Sequence, residues 1–202
     1  MNRTRIIPVI IPLLILFSCR VDEAAKRKAD SLHADSLRKD SIALNYADIC
    51  SSGMCVMVPR HFVPVNNINP DATLQFADAE NEEYLIIIEE DKAAFLDSVK
   101  YMDYYSATAT AAMNYREYWN VNMVESLDSM YNVTRSRQGK STEVQLLKFT
   151  GNLPTVPEPV VYTMGFVEGK TKMYVITAWT LLSYNEKNDA ELTMTVSSFR
   201  EQ

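Results

Sequence analysis

The chain reads as an α/β (α+β) domain in which a largely antiparallel sheet of six or seven strands is covered by helices on both faces. Three observations predict it. Two stretches, Tyr84–Glu90 and Lys172–Leu182, alternate as strands yet are apolar on both sides. Tyr84, Ile86 and Ile88 oppose Leu85 and Ile87 in the first; Met173, Val175, Trp179 and Leu181 oppose Tyr174, Ile176 and Ala178 in the second. A strand of that kind must be covered above and below, and the second is expected at the centre of the sheet. Gly139–Lys140 and Gly169–Lys170 supply tight connections, which favour antiparallel pairing. A helical pattern inside the chain and another near Phe199 provide the covering layers.

Composition allows one such domain: with 47% hydrophobic residues there is apolar material for a sizeable core. The formal charge is −6, and it becomes more negative still if Arg3 and Arg5 are removed. Nucleic acid is therefore excluded as a partner, because backbone phosphates reward a basic face. With 5 glycines and no Gly-rich run, the chain carries no phosphate-cradling loop.

Residues 1–18 have the layout of a secretory signal: Arg3 and Arg5 precede an apolar run from Ile6 to Phe17. That run falls short of the roughly 20 residues a spanning helix needs, and Pro8 and Pro12 interrupt it. Leu16, Phe17, Ser18 and Cys19 resemble the lipobox of bacterial lipoproteins, in which the thiol is diacylglycerylated, the chain is cut before the cysteine and the new amine is acylated. The resemblance implies lipidation at Cys19 and a durable membrane anchor, since one acyl chain alone holds only marginally.

From Cys19 to Tyr46 the composition becomes that of a tether. Asp30-Ser31-Leu32, Asp35-Ser36-Leu37 and Asp40-Ser41-Ile42 repeat in steps of five. Such a step turns successive apolar side chains by about 140° on a helix, so no buried face forms; the segment is a spacer, helical in part. The acidic pair Asp22 and Glu23 is similar to the signal that exports Bacteroidetes lipoproteins to the cell surface. An Asp-Ser/Thr-aliphatic motif also resembles the O-glycosylation site of that group, marking Ser31, Ser36 and Ser41, with further matches at Ser98 and Ser129. A bare solvated linker is the alternative.

The domain, residues 47–202, is expected to open with a strand over Met54–Val58. Cys50 and Cys55, the only unlipidated cysteines, lie either side of a turn and can form a disulfide in an oxidising compartment, or remain as reduced, packed thiols. Thr73–Ala77 and Tyr84–Glu90 form a hairpin around Glu80 and Asn81, and Glu89, Glu90 and Asp91 end its second strand in solvent. A helical pattern follows over Ala93–Val121, in one or two pieces. Its stripe Tyr101, Tyr105, Thr108, Ala112, Tyr115 and Trp119 is either the face the helix buries or an aromatic platform for a partner or ligand, with Tyr105, Tyr115 and Trp119 as its candidate residues. Strands are then expected at Tyr131–Arg137, Thr142–Thr150, Val160–Val167 and Lys172–Leu182, with a Pro154/Pro157/Pro159 loop between the second and third. Asn185 is placed to cap a closing helix whose Leu192, Val196 and Phe199 face inward.

The order of these elements, the opening Val58-Pro59-Arg60-His61-Phe62 and the closing Ser198-Phe199 resemble the PsbP-like sandwich family over about residues 47–202. Val58 and Phe62 stand where that family has an aromatic residue and Trp. The resemblance implies an α/β/α sandwich without catalytic chemistry, acting by binding large assemblies or a small GTPase, but fold alone does not carry a partner across.

Catalytic signals are sparse. His33 lies in the tether, and His61 follows Pro59 with no histidine or free cysteine near it in sequence, so it reads as a loop residue. No serine sits in a Gly-x-Ser-x-Gly elbow. No catalytic residue, cofactor or metal site is expected. The expectation is a non-enzymatic lipoprotein of the cell envelope, anchored by its lipid to the outer membrane and facing the periplasm or the surface, whose sandwich binds a protein partner or supports an envelope assembly. The alternative is a small-ligand or glycan-binding lipoprotein using the aromatic surface.

Overall fold

The computed structural model describes residues 26–28, 30–31, 34–39, 41–98, 106–119, 123–137, 140–153 and 156–202, and the side chains of these except 98, 116–119, 123–131, 135–137 and 140. The chain divides into two units, Met1–Asn45 and Tyr46–Gln202. In the first, residues 26–28, 30–31, 34–39 and 41–45 are helical. Leu37 and Leu44 are exposed there, in keeping with a repeat that gathers no apolar face.

Among the described residues of the second unit, ten strands form two antiparallel sheets. The smaller holds β1 (Tyr46–Ser51), β2 (Met54–Pro59) and β10 (Arg200–Glu201) in the order β1-β2-β10. The larger has seven strands, β3 (Val63–Pro64), β4 (Leu74–Asp78), β5 (Glu83–Asp91), β6 (Met123–Arg137), β7 (Lys140–Gly151), β8 (Val160–Glu168) and β9 (Lys172–Leu181), in the order β3-β4-β5-β9-β8-β7-β6. As its two apolar faces require, β9 is central, pairing with β5 on one side and β8 on the other.

One face of the large sheet, with Leu85, Ile87, Leu146, Tyr174, Ile176 and Ala178, meets β2 and the closing helix α3 (Asn185–Ser197) through Met54, Val56, Leu192, Val196 and Phe199. The other, with Leu147, Phe149, Tyr162, Phe166 and Val175, meets α1 (Lys92–Ser98) and α2 (Ala107–Trp119). Small residues decide how α2 lies: Ala107, Ala111 and Ala112 are buried in this second core, and only a short side chain lets a helix settle so near a sheet of Phe and Tyr. Its first turn is capped by Ser106, whose Oγ accepts the Ala109 N–H at 3.2 Å.

Several expected boundaries shift. The strand at Met54 lies in the small sheet, paired with β1 and β10, and the short β3 takes the edge position of the large one. β1 precedes the expected first strand and takes in Tyr46, the last residue expected in the tether; a two-residue turn, Ser52 at φ 50° and Gly53 at φ 81°, returns the chain onto β2. That register sets Cys50 opposite Cys55, and the two form a disulfide. β6 starts at Met123, ahead of the predicted Tyr131, with a register shift between Val124 and Ser129. Asn185 does not cap α3: it is the first helical residue, after a 3-10 turn over Leu182–Tyr184, and the N-cap position is Tyr184 with no side-chain bond.

Candidate functional site

The feature with chemical potential lies at the end of the sandwich where the β4–β5 turn meets the start of β3 and the middle of α3. The turn is built by Asp78, whose Oδ1 accepts the N–H groups of Glu80 at 3.1 Å and Asn81 at 3.3 Å. It leaves Glu82 at a left-handed φ of 53° and returns the chain with Glu83 directly opposite Asp78. Two acids facing each other across a strand pair repel, and here both are buried, so a positive partner is needed.

His61 supplies it. The tight turn after Pro59, closed by the Phe62 N–H on the Pro59 carbonyl at 3.1 Å, buries Phe62 in the first core and turns the neighbouring imidazole toward the acids. His61 Nε2 lies 3.2 Å from Glu83 Oε2 and 3.7 Å from Asp78 Oδ2. A third carboxylate arrives from α3: Glu191 Oε1 is 3.1 Å from the same nitrogen. That helix is keyed to the hairpin by Asn188, one turn earlier, whose amide donates to the Asn81 carbonyl at 2.9 Å and to Thr180 Oγ1 at 3.0 Å, and by Lys187, which donates to Asn81.

The electrostatics follow from crowding. Burial, then the charge of Glu191, pushes the Glu83 carboxyl up to about 7, against the hydrogen bond and charge of His61. Burial also raises Glu191, with Asp78 adding to it while His61 and Lys187 oppose. For Asp78 burial acts upward too, but the hydrogen bonds from Asn81 and Glu80 and the nearby His61 outweigh it, and its carboxyl is held below the usual range. Tyr46, the first residue of β1, is pushed up to about 12 by burial and by Glu191 and Glu83, which places its phenol in the same field. Glu83 is 2% exposed and its Oε1 has no hydrogen-bond partner among the described residues. In donor chemistry the arrangement is one imidazole nitrogen among carboxylates, a set suited to holding a proton or a divalent cation.

Of the residues singled out from sequence, Cys19 and Tyr105 lie outside the described residues, as does the side chain of Trp119. Tyr115 is half-buried, its ring 5.3 Å from that of Phe166 in the second core, and burial raises its phenol. Ser31, Ser36 and Ser41 are exposed in the first unit. Glu89 and Glu90 are half-buried rather than fully in solvent, and Asp91 accepts the Ala94 N–H at the start of α1. The sequence reading left His61 without companions because those companions lie elsewhere in the chain, Glu83 being 22 positions away. One signal was available: Asp78 and Glu83 flank the expected hairpin turn, and an antiparallel register through that turn sets them opposite each other.

At the opposite end of the sheet, a groove of about 600 Å³ is lined by Ser141, Thr142, Lys170 and Glu201 among others. Glu201 is committed there, accepting the Lys170 N–H with both oxygens at 3.1 Å.

No family model and no curated protein matches the chain. Among solved structures it is similar to cyanobacterial PsbP (CyanoP) from Synechocystis sp. PCC 6803, at 11% identity over 78% of this chain and 93% of that one, with a TM-score of 0.49. It is also similar to a mutant of the protein Mog1, at 12% identity, 78% and 96% coverage and a TM-score of 0.44. A third likeness is to PA94 from Pseudomonas aeruginosa, a protein of unknown function described as a putative regulator, at 9% identity, 78% and 98% coverage and a TM-score of 0.39. The fold described above stands on its own strand order and layers: a mixed α+β domain with a seven-stranded antiparallel sheet between helices.

Proposed function

We propose that the chain is a lipid-anchored envelope lipoprotein of Bacteroidetes type, held through Cys19 at the outer membrane, whose PsbP-like sandwich binds a protein partner or supports an envelope assembly without catalysis. The observation that carries this reading is the run Leu16-Phe17-Ser18-Cys19, placed after a basic and apolar segment and before a polar repeat. Lipid at Cys19 gives the sandwich a fixed address, and the spacer lets it reach a neighbour. The exposure of Ser31, Ser36 and Ser41 agrees with O-glycosylation of that spacer. An aromatic ligand platform draws no support from Tyr115, which packs against Phe166.

The test is metabolic labelling with a palmitate analogue. Wild type is expected to take up label and sediment with membranes, and Cys19→Ala to do neither. Equal labelling of the two chains would contradict anchoring at Cys19.

A further inference from the structure

We propose that His61, Glu83 and Asp78, with Glu191 beside the imidazole, form a binding site for a divalent transition-metal ion, with Zn²⁺ as the ion the donor set fits first. The inference is independent of the partner-binding reading: either can fail without the other.

Geometry is the first support. In a tetrahedral site with bonds of about 2.0–2.1 Å, neighbouring donor atoms stand about 3.3 Å apart. From His61 Nε2 the distances to Glu191 Oε1, Glu83 Oε2 and Asp78 Oδ2 are 3.1, 3.2 and 3.7 Å. The donor atoms of His61, Asp78 and Glu83 all lie within 4.8 Å of one another. One cation among them would replace three separate carboxylate–imidazole contacts.

Hydrogen bonding gives the second support, and it is independent of the cluster's composition. A single Nε2–H can point at one acceptor, and among these carboxylates the geometry of a hydrogen bond is met toward Glu83 Oε2. Glu83 Oε1 is left with no partner among the described residues, on a side chain 2% exposed. A native carboxylate is rarely buried in that condition unless it is paired or ligates a metal. The imidazole, by contrast, is 41% exposed, so an ion can reach the site from solvent.

The surroundings match what metal sites use to hold their ligands. Asp78 is fixed through Oδ1 by the Glu80 and Asn81 N–H groups and through Oδ2 by the Asn81 side-chain amide, and Asn188 fixes the turn of α3 that carries Glu191. An imidazole ligand in a compact set selects against Ca²⁺, which takes six to eight oxygens, and Mg²⁺, which demands octahedral oxygen and keeps its waters. Because the ligands come from the β2–β3 turn and the β4–β5 hairpin, a bound ion would tie these two elements together at this end of the domain.

The experiment uses the full chain, purified in detergent, stripped with chelator and titrated with ZnCl₂, MnCl₂, CaCl₂ and MgCl₂ in calorimetry and thermal melts. Zn²⁺ is expected to bind with one-to-one stoichiometry and, at about a hundred times its dissociation constant, to raise the melting temperature by about 5–10 °C. Ca²⁺ and Mg²⁺ are expected to leave it unchanged. His61→Ala and Glu83→Gln should each weaken Zn²⁺ binding at least about ten-fold while far-ultraviolet circular dichroism shows both folded. Absence of Zn²⁺ binding, or one-to-one binding unchanged in both variants, would overturn the site. Should Glu83→Gln fail to fold, His61→Gln serves as the second variant, with the same ten-fold loss expected and an unchanged affinity counting against the proposal.

Discussion

Glu83 sits opposite Asp78 across the β4–β5 pair and close to Glu191, so three acids share one imidazole. In metal-free protein that arrangement costs stability, because Glu83 cannot be solvated and one of its oxygens is unpartnered among the described residues. The sign of the pH dependence follows from its raised carboxyl, at about 7 in the folded chain against the ordinary 4.5. Above about 7 the group is ionised in both states and the cost is complete; below 4.5 it is protonated in both and the cost disappears. Glu83→Gln is therefore expected to stabilise the metal-free protein by roughly 1–3 kcal/mol at pH 8 and to change little at pH 4. Urea unfolding in chelator at the two values checks it, and a loss of stability at pH 8 would show that the carboxylate is fully compensated. From sequence the same residue was one more acid at a turn. Its burial and its opposition to Asp78 depend on the hairpin register, and its neighbour Glu191 depends on how α3 docks, which no local pattern encodes.

At the scale of elements, alternation was the strongest signal in the sequence. Lys172–Leu182 and Tyr84–Glu90 announced two covered faces, and β9 and β5 are adjacent at the centre of the sheet. Short edge pieces were illegible for a physical reason. β3 and β10 have two residues each, too few for a period, and form because longer neighbours offer a strand to pair with. The contact of α3 with the sheet was equally hidden, although its inward Leu192, Val196 and Phe199 were readable. It depends on Gly165 in β8. A Cβ built there would stand 2.6 Å from Val196 Cγ1 and 3.0 Å from Val144 Cγ1, closer than carbon atoms tolerate. Gly165→Ala is accordingly expected to destabilise the domain by about 1–3 kcal/mol by pushing α3 outward. Equilibrium unfolding measures this, and a neutral substitution would mean that Val196 can turn away without cost.

For the whole molecule, the two units divide the work. The sandwich is a closed structure with a core on each side of its sheet, and residues 26–45 are largely polar, helical where described, and repeat without building a face of their own. Helical residues advance about 1.5 Å each against about 3.3 Å when extended, so the helical residues among 26–45 span less length than the same residues stretched out. Under the proposed function, lipid at Cys19 and the polar spacer hold the domain in place while it binds a partner. The most direct measurement is crosslinking in native envelopes carrying the tagged chain, followed by affinity purification. The account predicts one protein recovered reproducibly with the wild type, retrieving this chain in turn when it carries the tag, and lost when Cys19→Ala frees the domain from the membrane. Recovery of a glycan with no protein partner would contradict it.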